Sequence, residues 1–159
     1  MMLSPLEIFL FLLAFFLMEP VTYLAHRHIF HGFGFDIHKS HHSKRKGTFE
    51  RNDLYPGVSA LITMSIIGCG VLFRPVKFLI PVGFGMTLYG TIYFFIHDMV
   101  IHQRAKWLGI PRDFLKWHYS AHMIHHRYGG EPYGLVAPIV PGSLKKKFLS
   151  DPADLNFYE

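Results

Sequence analysis

Three long apolar runs decide what this chain can fold into. Residues 6–25 form a stretch of 20 whose only formal charges are Glu7 and Glu19. As a helix that stretch reaches roughly 30 Å, the thickness of a bilayer's hydrocarbon core. Residues 54–73 and 78–96 carry no charged residue and no histidine. Inside hydrocarbon there is no water to bond the backbone, so such segments must satisfy their own N–H and C=O groups as helices. Only Arg74, Pro75, Val76 and Lys77 separate the second and third runs, which predicts a tight helical hairpin. The 159 residues are material for one domain, so residues 1–159 read as a single membrane-embedded, all-α unit with three transmembrane helices. No Lys or Arg precedes the first run and no small-residue cleavage pattern follows it, which argues for a retained span over a cleaved signal peptide.

Basic residues set the orientation. Arg27, Lys39, Lys44, Arg45, Lys46 and Arg51 lie between the first two spans. Arg104, Lys106, Arg112, Lys116, Arg127 and the run Lys145, Lys146, Lys147 follow the third. The positive-inside rule puts both segments in the cytoplasm and the N-terminus outside. All 12 histidines lie in or at the edge of these two segments. The net charge of +5 is then orienting charge that touches anionic lipid. The same residues flank spans and build no nucleic-acid-binding motif. Cys69 is the single cysteine and lies within a span, so neither a disulfide framework nor a thiolate metal site is available.

Along the chain, the first helix is expected to continue past the bilayer edge to His31, where Gly32 and Gly34 break it. A short helix over 38–43 is expected next, then a polar stretch ending at Asp53, a candidate N-cap for the second span with Pro56 in its first turn. A turn at Gly109, Ile110 and Pro111 precedes an interfacial helix over 112–127, stopped by Gly129 and Gly130. Beyond Glu131, Pro132, Pro138, Pro141 and Pro152 rule out another long helix.

The histidines are not scattered. His38-x-x-His41-His42 is repeated 84 residues later as His122-x-x-His125-His126. On a helix, His122, His125 and His126 lie roughly 40°, −20° and 80° from His118, so one stripe is solid imidazole. His26 and His31, like His97 and His102, are five residues apart. On an α-helix that is about 140°, too far for one face. Either each pair serves two ions, or the helix ends between its members. A lone histidine such as His28 reads as an interfacial or hydrogen-bonding residue. Ten in four groups exceed one ion's coordination sphere and suit two ions at four or five imidazoles each. Imidazole accommodates iron, zinc, copper or nickel. Glu19, about two turns before His26, together with Asp98, Glu50 and Asp53, are candidates to bond the far ring nitrogens. A metal transporter or haem-binding subunit is the weaker reading: the second and third spans carry no His, Asp or Glu near mid-membrane for a transporter, and a bis-histidine haem needs one or two pairs, not ten ligands.

The ordered strings "HRHIFH", "HKSHH", "FERNDLY", "HDMVIHQR", "AHMIHH" and "EPYGL", between Glu19 and Pro138, together resemble the bacterial and plant β-carotene 3-hydroxylases. These belong to the wider fatty acid hydroxylase and sterol desaturase superfamily of membrane enzymes. The resemblance implies a non-haem di-iron monooxygenase that converts β-carotene to zeaxanthin by way of β-cryptoxanthin. It implies metal ligands at His26, His31, His38, His41, His42, His97, His102, His122, His125 and His126, with zinc able to replace iron in purified protein. His118 is an additional histidine where the carotenoid branch is expected to have none, and stands as an extra candidate ligand. Tyr93, Phe94, Phe95 and Trp117 are candidates to line a carotenoid groove, or ordinary interfacial aromatics. The chain has no cluster-binding cysteines and no nucleotide fingerprint, so electrons must come from a partner. The family suggests ferredoxin and its reductase, and a basic cytoplasmic face suits an acidic donor. A hydroxylase or desaturase acting on a sterol or fatty acyl chain is the alternative.

Overall fold

A computed structural model of the chain describes residues 3–43, 47 and 49–149. Lys44, Arg45, Lys46 and Pro152 lie outside the described residues.

The first helix, α1 (Pro5–Ala25), starts at a capping box. The Ser4 hydroxyl accepts from Glu7 N–H, and the Glu7 carboxylate accepts from Ser4 N–H. One of the two charges in the first span is thus a cap, which satisfies N–H groups a helix start leaves orphaned. The helix then continues as a π-helical segment, His26–Phe33, until Gly32 takes non-helical dihedrals. The continuous rod is 29 residues long, longer than a hydrocarbon core of about 30 Å requires. Its histidine-bearing end therefore stands beyond the apolar run.

A short α2 (Phe35–His38) follows Gly34, and residues 39–43 are turns; the expected helix over 38–43 ends at its first residue. The second span is α3 (Leu54–Leu72), entered through a 3-10 turn at Arg51–Asp53. Asp53 occupies the N-cap position of α3 without capping it, because its carboxylate accepts from the Glu50 N–H of the 3-10 turn and pairs with Arg104. After the tight connection at Arg74–Val76, the third span α4 (Leu79–Phe94) runs on as a second π-helical segment, Phe95–Ile101.

α4 lies between α1 and α3. Glycines allow the close approach: a Cβ at Gly83 would run into Ile67, and one at Gly85 into the Phe11 carbonyl. Such small-residue seams are how helices pack where lipid supplies no hydrophobic drive between them. Leu6, Phe9, Phe16, Leu17, Leu61, Met64, Val71 and Phe84 are all exposed. These three rods meet the length and composition of membrane spans, and the exposed apolar belt is the surface that lipid covers. The chain is an integral membrane protein of helices, with no strand among the described residues.

Past His102 the chain reverses at Gln103, which sits at φ 51° and donates its amide to the Val100 and Ile110 carbonyls. Residues 112–115 form a 3-10 turn, so the expected helix over 112–127 becomes α-helical only as α5 (Lys116–Tyr128). Gly129, at φ 65°, ends it. Phe114 and Trp117 at its start are exposed, whereas the stretch from Ala121 to His125 is buried. A last helix, α6 (Gly142–Leu149), is short, in keeping with the prolines around it.

Candidate metal centre

Two π-helical segments solve the spacing problem of the five-residue pairs. A π-turn closes its hydrogen bond from residue i to i+5, and the His102 N–H indeed donates to the His97 carbonyl at 2.9 Å. Residues five apart then stand over one another. His26 and His31 accordingly point into one site, with ring centroids 5.1 Å apart, and His97 and His102 into another at 4.6 Å. The expectation that neither pair can share a face is corrected: it assumed α-helical winding.

The two repeated motifs divide between the sites in mirrored fashion. His38 and His42 join His26 and His31, while His41 turns to the other side. His122 and His126 join His97 and His102, while His125 crosses back to the first group. The first group is therefore His26, His31, His38, His42 and His125. The second is His41, His97, His102, His122 and His126. Within each, four donor nitrogens lie inside 4.8 Å of one another. His42 and His126 stack at 4.3 Å, where the two groups meet.

Every close approach is between Nε2 atoms. In the first group His26 meets His38 at 3.1 Å, His31 meets His125 at 3.0 Å and His42 meets His38 at 3.2 Å. In the second, His97–His41, His102–His122 and His126–His41 span 3.0, 3.0 and 3.1 Å, and His126–His122 spans 2.8 Å. Ligands at right angles around an ion bonded at about 2.1 Å lie about 3.0 Å apart.

Protonation decides what these contacts are. His26 Nδ1–H donates to the Tyr133 carbonyl at 2.8 Å, and His38 Nδ1–H donates to Asn52 Oδ1 at 2.7 Å. Either ring, if neutral, then has a bare lone pair on Nε2. Two lone pairs facing at 3.1 Å in a buried site repel unless a cation lies between them. A proton is a poor candidate. Burial pushes the His38 imidazolium down from 6.5 to about 3, and His42 to about 4. Burial likewise holds His41, His102, His122, His125 and His126 well below their ordinary value, each reinforced by neighbouring imidazoles. The donor set, all imidazole nitrogens with several of the far ring nitrogens held by oxygens, fits a transition-metal ion.

The far nitrogens differ between the groups. In the first, His125 Nδ1–H donates to the Gly130 carbonyl, so all three recorded acceptors are neutral. In the second, His97 Nδ1 lies 3.1 Å from Asp98 Oδ2 and His41 Nδ1 lies 3.7 Å from Glu50 Oε2. Arg104 holds Asp98 and Asp53 together, at 2.8 Å to Asp98 Oδ1 and 2.6 Å to each Asp53 oxygen.

Glu19 stands apart from both groups. Its carboxylate accepts from Tyr89 OH at 2.6 Å and from the N–H groups of Leu135, Val136 and Ala137 at 3.1–3.2 Å. It bears on the histidine groups by fixing the loop whose Tyr133 carbonyl meets His26. His118 lies outside both groups, its Nε2 at 3.1 Å from the Val136 carbonyl, and His28 is exposed. Tyr93 stacks on His97 at 5.3 Å; Phe94, Phe95 and Trp117 are exposed. Four groups escaped the sequence reading: Asn52, Arg104 and the carbonyls of Gly130 and Tyr133. Asn52, Arg104 and Tyr133 lie inside the strings "FERNDLY", "HDMVIHQR" and "EPYGL", so the signal was present without the roles.

Comparison with known proteins gives the family. A model of the fatty acid hydroxylase family matches residues 11–141. The β-carotene hydroxylase of Pseudescherichia vulneris is 40 % identical over 134 residues, 80 % of this chain and 74 % of that protein. The β-carotene hydroxylase of Pantoea ananas is 44 % identical over 116 residues, 72 % of this chain and 65 % of that protein. A chloroplastic β-carotene 3-hydroxylase from an Oncidium hybrid cultivar is 35 % identical over 123 residues, 74 % of this chain but 40 % of the plant protein. No solved structure matches the chain.

Proposed function

The chain belongs to the fatty acid hydroxylase family and, within it, to the β-carotene hydroxylases, and from that premise we propose that it hydroxylates the β-ionone rings of a carotenoid, taking β-carotene through β-cryptoxanthin to zeaxanthin. The observation that carries the chemical side is the His26–His38 contact, two lone pairs facing at 3.1 Å inside the protein. Ten imidazoles in two groups of five suit two iron ions, and zinc would fit the same nitrogens in an overexpressed sample. When bound, a pair of redox-active irons supplies the O2-activating chemistry that an unactivated C–H bond demands.

The chain's own residues do the rest. His26, His31, His38, His42 and His125 would hold one ion, and His41, His97, His102, His122 and His126 the other. The acceptors on Nδ1 fix ring orientation and keep Nε2 unprotonated. Ile96, Ile101, Met123 and Leu135 form a small apolar core in the same head, with Tyr93 packed both on it and on the His97 ring. His125 has no exposed surface at all. The substrate reaches this head from the lipid that covers the spans, so a long polyene never has to cross water. In this proposal the head faces the cytoplasm, the N-terminus lies outside, residues 1–159 act as one domain, and electrons come from ferredoxin and its reductase. The basic Lys145, Lys146 and Lys147 in α6 are exposed and would favour an acidic donor.

The test is conversion of β-carotene in a carotenoid-accumulating bacterial host, comparing wild type with His125→Ala and His41→Ala. Zeaxanthin from wild type and neither variant is expected, read by chromatography and mass. If iron-loaded wild type with reduced ferredoxin leaves β-carotene untouched, the carotenoid assignment fails and sterol or fatty acyl substrates take its place.

A further inference from the structure

From the unequal surroundings of the two histidine groups, we infer that the two metal sites are inequivalent: the second group holds its ion more tightly, through Asp98, Glu50 and the Arg104–Asp53 pair. This rests on the two-ion reading above and adds to it a ranking that ligand identity alone does not give, since each group offers five imidazoles.

The difference begins at the far ring nitrogens. A carbonyl or amide oxygen on Nδ1–H orients a ring but carries no charge. A carboxylate there also raises the basicity of Nε2, by drawing the Nδ1 proton outward, and adds its own attraction for a cation across the ring. The first group has Tyr133 O, Gly130 O and Asn52 Oδ1 in these places. No carboxylate is bonded to any of its rings among the described residues. The second group has Asp98 on His97 and Glu50 beside His41.

Arg104 opposes this with one positive charge. It does so only in part, because that charge is shared between two carboxylates, Asp53 and Asp98. Asp53 and Asp98 against one guanidinium leave a net negative charge beside His97. Arg104 is a positioning residue: it aims Asp98 Oδ2 at His97 by holding Oδ1. The backbone supports the same geometry, since Arg104 N–H donates to the Asp98 carbonyl at 2.8 Å after the reversal at Gln103. Sequence fixes the contrast at two isosteric positions, Asn52 serving His38 and Asp98 serving His97.

Cobalt(II) alone is the probe, added to full-length, metal-stripped protein in lipid nanodiscs and competed with a chelator of known affinity. His31→Ala opens the first group and leaves the second intact; His102→Ala does the reverse. The intact second group should hold cobalt roughly 10- to 100-fold more tightly than the intact first, the range for changing an outer partner of a ligand. Asp98→Asn should erase most of that advantage, and Asn52→Asp should strengthen the first group. In case the ligand variants do not fold, Asp98→Asn and Asn52→Asp are also made with all ten histidines present. At a chelator level that leaves one ion on wild type, the former should lose both and the latter keep both. Equal affinities, or equal losses from both sites on Asp98→Asn, overturn the inference while leaving two ions in place. Wild type that binds no cobalt defeats the two-ion reading itself.

Discussion

The spans and the head of this protein are built on opposite plans. Along the spans the large apolar side chains face outward, and helices touch through glycine, as Gly83 does with Ile67 and Gly85 with the Phe11 carbonyl. In the head six imidazoles are buried: His26, His38, His41, His97, His122 and His125 are all under a tenth exposed. Apolar burial there is limited to Ile96, Val100, Ile101, Ala121, Met123, Ile124 and Leu135. The difference teaches where cohesion comes from. The spans need lipid and close backbone contact. On the proposed two-ion reading the head draws cohesion from cations, which relieve the repulsion of facing lone pairs.

Metal removal should break the comparison most visibly. Chelation is expected to loosen the head, giving new protease cuts in residues 103–115 and 129–141, while the far-ultraviolet helical signal of the spans persists. An unchanged cleavage pattern would mean the head is self-supporting. Acid should act on the metal-free chain in the same direction. Because the folded values of His38 and His42 sit at about 3 and about 4, below the ordinary 6.5, the unfolded chain takes up protons first. Stability is then complete above about pH 6.5 and falls as pH drops toward 3–4, which tryptophan fluorescence would follow.

Glu19→Gln sharpens the comparison at the seam between the two regions. The carboxylate joins α1, Tyr89 of α4 and the backbone of residues 135–137. An amide keeps one acceptor oxygen and puts an NH2 against N–H donors, leaving some of them unpaired. A loss of about 1–3 kcal/mol is expected, seen as a lower Tm, with metal affinity weakened through the Tyr133 carbonyl on His26. Unchanged metal affinity would confine Glu19 to the spans. The smallest effect should come from Gly85→Ala, where the new methyl meets backbone and α1 must move away from α4. A cost of about 1–2 kcal/mol is expected, with the count of bound metal ions unaltered. A loss of metal there would show that the head reads the helix spacing below it.

Much of this was legible before any coordinates. The three apolar runs gave the spans to within a residue or two, Gly129 marked the end of α5, and the gathering of ten histidines into more than one group followed from their number. The five-residue pairs were misplaced because helical winding was taken as α throughout, and no local residue pattern announces a π-turn. Asp53 reads as a helix cap from its neighbours in sequence, yet it is paired with an arginine 51 residues away. Glu19 lies on the expected face but spends its charge on backbone N–H groups more than 100 residues distant. Local periodicity carries no information about partners at that range.

The π-helical segments have one more consequence. A π-turn holds one more residue than the α-turn it replaces, and one residue is about 100° of α-helical rotation. The helix is thereby rephased as it leaves the membrane: below the turn its pattern is written for lipid, above it for metal. Deleting one residue between His26 and His31 would leave both imidazoles on a common α-helical face at i, i+4. It would also set every side chain after them a step out of phase. The extra residue works like a frame shift that the fold has kept, letting one continuous rod be read in two phases.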